Sequence, residues 1–324
     1  MKLRLLYHGH CFDGVASAAV FTRFYRECVN RDVQVAYAGL LHRAGDLFDA
    51  EMFDGDENAI VDFKYSASDK LTWWFDHHQS AFLSTEDEAH FRADRSGQKF
   101  WDPESKSCTE FIARVARDQF GFADAALAPL VEWAHIIDGA FYESAAQVVE
   151  LRAPALQLMQ VIESVPEGDF IEWLIRELAE RRPLDQLAAS DEVQQRLAPI
   201  LARHHETLAA IRRKARYANG VVNFDLIDES FEGFNKFIPY YLHPETTYSV
   251  AVTRGPHRTK ISVGSNPWSP RPRTHNIATI CERYGGGGHP VVGAVSFGPE
   301  EVEKARAAAR EIVAELSGES GSHS

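Results

Sequence analysis

Apolar residues fall into short runs near the N-terminus and into helical spacing beyond them. Leu3-Arg4-Leu5-Leu6-Tyr7, Val33–Tyr37, Ala59-Ile60-Val61 and Leu71-Thr72-Trp73-Trp74-Phe75 are brief, rich in β formers and bounded by polar residues, so each predicts a strand. Small and apolar residues from Gly14 to about Arg26 recur at helical spacing and predict a helix after the first strand. The acidic stretch from Asp46 to Glu57 reads as a solvated loop or helix face. Ser107-x-x-Glu110 is a capping-box pattern that opens a helix over Cys108–Phe120. From there to about Tyr217 the pattern is nearly all helical, punctuated by Pro154, Pro166, Pro183 and Pro199, and its last piece, Glu192 to Arg216, predicts one long helix. A second βα set begins near Gly220, with strands over Val221–Ile227, Tyr248–Thr253, Thr259–Val263 and Val291–Phe297 and helices over Asn276–Tyr284 and Glu300–Leu316. The expected fold class is α/β: an N-terminal parallel-sheet domain over 1–190, a helical linker over 191–218, a smaller C-terminal α/β domain over 219–317, and a polar tail over 318–324.

Charge narrows the partners. The chain carries a net charge of −13, whereas affinity for long nucleic acid comes from neutralising many phosphates with a basic surface. A short or small phosphorylated partner suits it better. The four cysteines, Cys11, Cys28, Cys108 and Cys281, have neither CxxC spacing nor the density of a disulfide framework. Met1-Lys2-Leu3-Arg4 leads straight into the first strand, and no apolar run approaches a membrane span, so a reducing cytoplasm is the expected setting, away from membranes.

Candidate chemistry collects where apolar runs stop. The Leu71–Phe75 run ends in Asp76-His77-His78, the first strand ends in His8-Gly9-His10-Cys11-Phe12-Asp13-Gly14, and Ala59–Val61 ends at Asp62. The helical pattern Val131–Ile137 carries Asp138. In an open α/β sheet, the C-terminal edge of the strands is where active sites lie. Carboxylates with histidines suit Mn²⁺ and also admit Zn²⁺ or Fe²⁺. His204-His205 is a second pair, but no acid precedes it and no strand delivers it, so it is expected at the surface and not as a ligand. Gly9 and Gly14 have phosphate-loop spacing, yet Val15-Ala16 follow where Lys-Ser/Thr belongs. There is no GxSxG elbow, zinc-finger spacing or dinucleotide fingerprint.

These residues resemble the DHH phosphoesterases, whose four motifs appear in order as His8–Gly14, Asp62, Asp76-His77-His78 and Asp138. Gly285-Gly286-Gly287-Gly288-His289 resembles the signature of the DHH-associated, substrate-binding C-terminal domain. The resemblance implies a metal-dependent phosphoesterase acting on short oligonucleotides or small nucleotides, with two Mn²⁺ ions. It implies that Asp13, Asp62, His77 and Asp138 hold one ion and His8 and Asp62 the other. It further implies that Asp76 orients a histidine and that His78 faces the scissile phosphate. Gly286, Gly287, Gly288, His289 and Arg273 are the implied substrate contacts, with Trp268 and His275 as candidate base-stacking residues; a homodimer is left open.

The first motif departs from the family pattern, since Cys11 stands where the first aspartate of Asp-x-Asp belongs. Either Cys11 or His10 is left to complete the second ion site, or that site is weak; a thiolate favours Zn²⁺ over Mn²⁺. Gly264-Ser265 replaces a family Arg-Ser pair, so one phosphate contact is absent or supplied elsewhere, as by Arg273. Two other readings follow from the same residues: a hydrolase of pyrophosphate or polyphosphate, and a degenerate nucleotide-binding protein without turnover.

Overall fold

The computed structural model describes residues 1–43, 45–229, 231 and 233–318; the 318–324 tail therefore falls almost entirely outside the described residues. The chain forms two compact units, one of Met1–Tyr142 with Arg152–Ile200, the other of Glu143–Leu151 with the chain from Leu201 onward.

In the first unit, β1 (Lys2–His8), α1 (Phe12–Cys28), β2 (Gln34–Leu40), β3 (Glu57–Val61), β4 (Trp73–Asp76), α2 (Thr85–Ala93) and β5 (Lys99–Trp101) build a five-stranded sheet of order β2-β1-β3-β4-β5. Every pairing is parallel, with Leu5 opposite both Tyr37 and Ala59, and Val61 opposite Phe75. A parallel sheet is covered on both faces, which is why these strands read as continuous apolar runs. α1 is buried almost all round and supplies Phe21 and Phe24, whose rings meet Trp73 edge-on. It starts at Phe12, two residues before the sequence pattern suggested, so Asp13 lies within its first turn.

The 46–57 stretch is not simply solvated. Leu47 and Phe53 are core residues, Glu57 accepts from the Tyr25 hydroxyl (2.9 Å) and Trp73 Nε1 (3.0 Å), and Asp54 pairs with Lys2 and Arg4. Acidic residues there mask an apolar set underneath.

Helices α3 (Cys108–Phe120), α4 (Ala128–Asp138), α5 (Ala145–Glu150), α6 (Pro154–Ser164), α7 (Asp169–Ala179), α8 (Leu184–Ala188) and α9 (Asp191–Lys214) follow. Ser107 caps α3, its Oγ accepting from Glu110 N at 3.1 Å, and Gly121 ends it in the left-handed region.

The second unit adds β6 (Arg216–Ala218), β7 (Val221–Asp225), α10 (Ile238–Leu242), β8 (Tyr248–Arg254), β9 (Thr259–Ser265), α11 (Ile277–Glu282), β10 (Gly287–His289), β11 (Val292–Phe297) and α12 (Val302–Leu316). Its sheet order is β10-β11-β9-β8-β7-β6, antiparallel except for β7 with β8. Val250, Ile261, Val263, Val295, Ile277 and Ile312 form the core between sheet and helices. The α/β class with a parallel N-terminal sheet and a second, C-terminal α/β sheet is thus borne out.

Candidate metal centre

Because the first sheet is parallel, the C-terminal tips of β1, β3 and β4 share one edge, and the order changes direction between β1 and β3. Such a switch point opens a crevice at the sheet edge. His8 closes β1, Asp62 follows β3, and Asp76-His77-His78 leave β4. Asp62 is 1% exposed and adopts φ 58°, a left-handed conformation that costs a non-glycine residue about 1–3 kcal/mol. Its N–H donates to Phe75 O at 2.9 Å, which fixes that turn against β4.

Among the described residues three overlapping groups of donor atoms result, each within 4.8 Å: His8, Cys11 and Asp62; Asp62, His77 and His78; and Asp13, His77 and Asp138. His77 Nε2 lies 3.3 Å from Asp62 Oδ1, 3.4 Å from Asp138 Oδ2 and 3.9 Å from Asp13 Oδ2. On the other side of Asp62, Oδ2 lies 3.2 Å from His8 Nδ1. The structure brings Cys11 into this cluster; His10 takes part in none of the groups found among the described residues.

The supporting contacts fix each ring. His77 Nδ1 lies 3.1 Å from Ser105 O, which turns Nε2 toward the carboxylates. Asp76, fully buried, accepts from the backbone of His77 (2.8 Å) and His78 (3.2 Å) and holds His78 Nδ1 at 2.6 Å. Asp76 therefore stands behind His78, whose side chain is 37% exposed. Asp13 accepts from the first amides of α3, Cys108 N at 2.6 Å and Thr109 N at 3.1 Å, a helix N-terminus that favours a carboxylate.

The electrostatics of this corner are unbalanced. Burial, followed by the charges of Asp62 and Asp138, pushes the Asp13 carboxyl well above the usual range; burial and Asp62 raise Asp138 as well. Burial opposes a charge on His77, but Asp62, Asp13 and Asp138 override it and carry the ring up to about 10. Burial would raise Asp62, yet the His77 and His8 rings hold it below the carboxylate range. Burial and the Asp62 and Asp13 charges push the Cys11 thiol well up. The raised Asp13 and Asp138 carboxyls and the raised His77 ring all run in the direction that offsets an excess of carboxylate charge. Asp62 Oδ1 and His77 Nε2 are moreover buried without a hydrogen-bond partner. A divalent cation satisfies both atoms and displaces the protons, so the donor set fits one.

Two residues at this edge escaped the sequence reading. His42, just past β2, stacks on Phe63 (4.8 Å, 27°) and meets the His8 ring edge-on at 5.0 Å. Lys64, two residues past Asp62, donates to Ser80 O. His42 follows the same strand-tip rule as His8 and was legible by it.

In the second unit the glycine run has a structural use. A Cβ on Gly286 would sit 2.1 Å from Ala294 O, and one on Gly288 2.2 Å from Val292 O, so both glycines let β10 lie against β11. Gly287 faces open space, and His289 and Arg273 are exposed. Gly264 makes room for Tyr240: a Cβ there would meet the Tyr240 hydroxyl at 2.5 Å, and that hydroxyl bonds Ser249 Oγ at 2.8 Å. Trp268 packs at 5.5 Å from Phe237, and His275 edge-on to Tyr248 at 5.7 Å. His204 is not a plain surface residue: it is half-buried with Nε2 2.8 Å from Val149 O, while His205 is exposed.

No family profile matches the sequence, and no curated protein does either. Solved structures do match. A pGpG-specific phosphodiesterase, PggH from Vibrio cholerae, aligns over 98% of this chain and 100% of its own, with TM-score 0.70 and 17% identity. The DHH domain of a member of a family of ribosomal proteins aligns over 97% of this chain and 87% of its own (TM-score 0.58, 12% identity). An exopolyphosphatase-related protein from Bacteroides fragilis covers 98% and 93% (TM-score 0.53, 14% identity). The chain has the fold of the DHH phosphoesterases, the family its four motifs resemble.

Proposed function

We propose that the protein hydrolyses phosphoester bonds of short oligonucleotides or small nucleotides, using divalent cations held at the edge of the first sheet. The observation that carries this reading is the sharing of Asp62 among two groups of donor atoms, with buried, unpartnered Asp62 Oδ1 and His77 Nε2 facing each other. Asp13, Asp62, His77 and Asp138 would hold one ion, and His8, Cys11 and Asp62 a second. Bound there, such ions would acidify water and absorb phosphoryl charge. Mn²⁺ suits the carboxylate–imidazole set, and Cys11 draws the second position toward Zn²⁺.

The remaining steps belong to side chains. Asp76 holds Nδ1 of His78 and leaves Nε2 free to give a proton to the departing oxygen. Burial weakens a charge on His78, but Asp76 more than offsets it and raises the ring's pKa. His42 adds a hydrogen-bonding ring beside His8, and burial lowers its pKa. Gly287, His289 and Arg273 of the second unit are the proposed substrate contacts. Gly286 and Gly288 serve them indirectly, through the hairpin.

Net charge of −13 supports a short substrate, as does a fold match spanning the whole of a dinucleotide phosphodiesterase. The test is product release from pGpG, a trinucleotide, 3′-phosphoadenosine 5′-phosphate, a cyclic dinucleotide and polyphosphate, each with Mn²⁺, Zn²⁺ or chelator. Metal-dependent turnover of a nucleotide substrate is expected. Cleavage of polyphosphate alone, or no turnover with metal bound, overturns the reading.

A further inference from the structure

Glu167 lies in the connection between α6 and α7, flanked by Pro166 and Gly168, where nothing in the sequence marks it. Its carboxylate reaches the segment that carries the first motif. Oε1 accepts from the backbone N–H of His10 at 2.9 Å, and Oε2 accepts the hydroxyl of buried Tyr7. Two glycines make the space. A Cβ on Gly39 would lie 2.4 Å from Oε2 and 2.5 Å from Cδ, and one on Gly9 would lie 2.8 Å from Oε1. No rotamer of a larger residue at 39 leaves the carboxylate where it is, because the conflict is with Cβ itself.

The bond to His10 is placed where the backbone most needs it. His10 has φ 53°, a left-handed conformation costing a non-glycine residue about 1–3 kcal/mol. It is the middle of the turn Gly9-His10-Cys11, whose outer neighbours are two of the donors grouped around Asp62, His8 before it and Cys11 at its end. Gly9 N donates to Leu40 O at 2.8 Å, so the turn is pinned from β2 on one side and from Glu167 on the other. Of these two restraints, only Glu167 acts on the left-handed residue.

We infer that Glu167 is a positioning residue: its carboxylate holds the left-handed turn at His10 and thereby sets His8 and Cys11 against Asp62. The inference rests on the metal-centre reading proposed above. It assigns Glu167 to the ion held by His8, Cys11 and Asp62, and not to the one held by Asp13, Asp62, His77 and Asp138.

Calorimetric titration of the full chain with Mn²⁺, paired with thermal melting in chelator, tests this without any activity assay. Wild type is expected to bind two ions. Glu167→Ala should weaken one of them by about tenfold, the lower range for losing a group that orients metal ligands, and leave the other unchanged. Glu167→Gln keeps an oxygen for His10 N–H and should stay within about threefold of wild type. Gly39→Ala should mimic Glu167→Ala by expelling an intact carboxylate. The double variant Gly39→Ala/Glu167→Ala removes the clash, so its melting temperature should recover while the weak ion stays weak. Unchanged affinity in Glu167→Ala, or restoration of affinity in the double variant, would show that Glu167 only fills a niche. A wild-type chain that binds neither Mn²⁺ nor Zn²⁺ would refute the metal centre itself, and this inference with it.

Discussion

His77-His78 and His204-His205 are the same dipeptide in two settings. The first pair leaves a buried strand directly after Asp76 and faces Asp13, Asp62 and Asp138, with one buried nitrogen unpartnered. The second lies on α9, with its ring centroids 5.9 Å apart. His204 spends its Nε2 on Val149 O, burial lowers its pKa, and His205 faces solvent. Residue type is identical; surrounding charge and unsatisfied atoms are not. A binding site is marked by what its residues still lack.

The largest effects should come from breaking the first setting. Asp62→Asn keeps the shape and tolerates the left-handed backbone but removes the shared charge; turnover should fall by about 10³-fold and Mn²⁺ binding should be lost in calorimetry. Asp76→Asn should lower kcat about 10²-fold by disturbing the His78 proton, with metal stoichiometry unchanged, in steady-state kinetics. A variant that also lost its metal would place Asp76 among the ligands instead.

With pKa raised from 6.5 to about 10, protonated His77 stabilises the metal-free protein fully below the ordinary histidine range, and that contribution drains away as pH rises through about 10. Melting in chelator should therefore fall between pH 7 and pH 10 more steeply for wild type than for His77→Ala. Mn²⁺ must displace that proton, so its affinity should rise by up to about tenfold per pH unit near neutrality, read as proton release in buffers of different ionisation enthalpy.

Smaller effects belong to the second unit. Gly264→Ala should cost about 1–3 kcal/mol in urea unfolding through its clash with Tyr240, partly relieved by adding Tyr240→Phe, and metal binding should not change. The His204→Ala/His205→Ala variant should lose at most about 1 kcal/mol, the worth of one hydrogen bond, and keep full turnover.

The sheet edge was legible because ligand-type residues interrupt apolar runs at strand tips, a pattern that one sequence displays on its own. What escaped depends on contacts between distant segments. β10 consists of two glycines and a histidine, which have no strand propensity, and it forms only because β11 offers a partner. Gly264 looked like a missing phosphate contact until Tyr240, from another element, was seen to occupy its space. Glu167 is one acid among many until the glycines at 9 and 39 show the niche shaped for it. Leu47 and Phe53 were hidden by the acids around them, which made a partly buried segment read as solvated.

Anomalous diffraction at the manganese edge, from crystals grown with Mn²⁺, would locate the ions themselves. Strong density is expected within bonding distance of both Asp62 and His77, with a second peak beside His8 and Cys11. Density elsewhere, for instance at His204-His205, with none at Asp62, would contradict it.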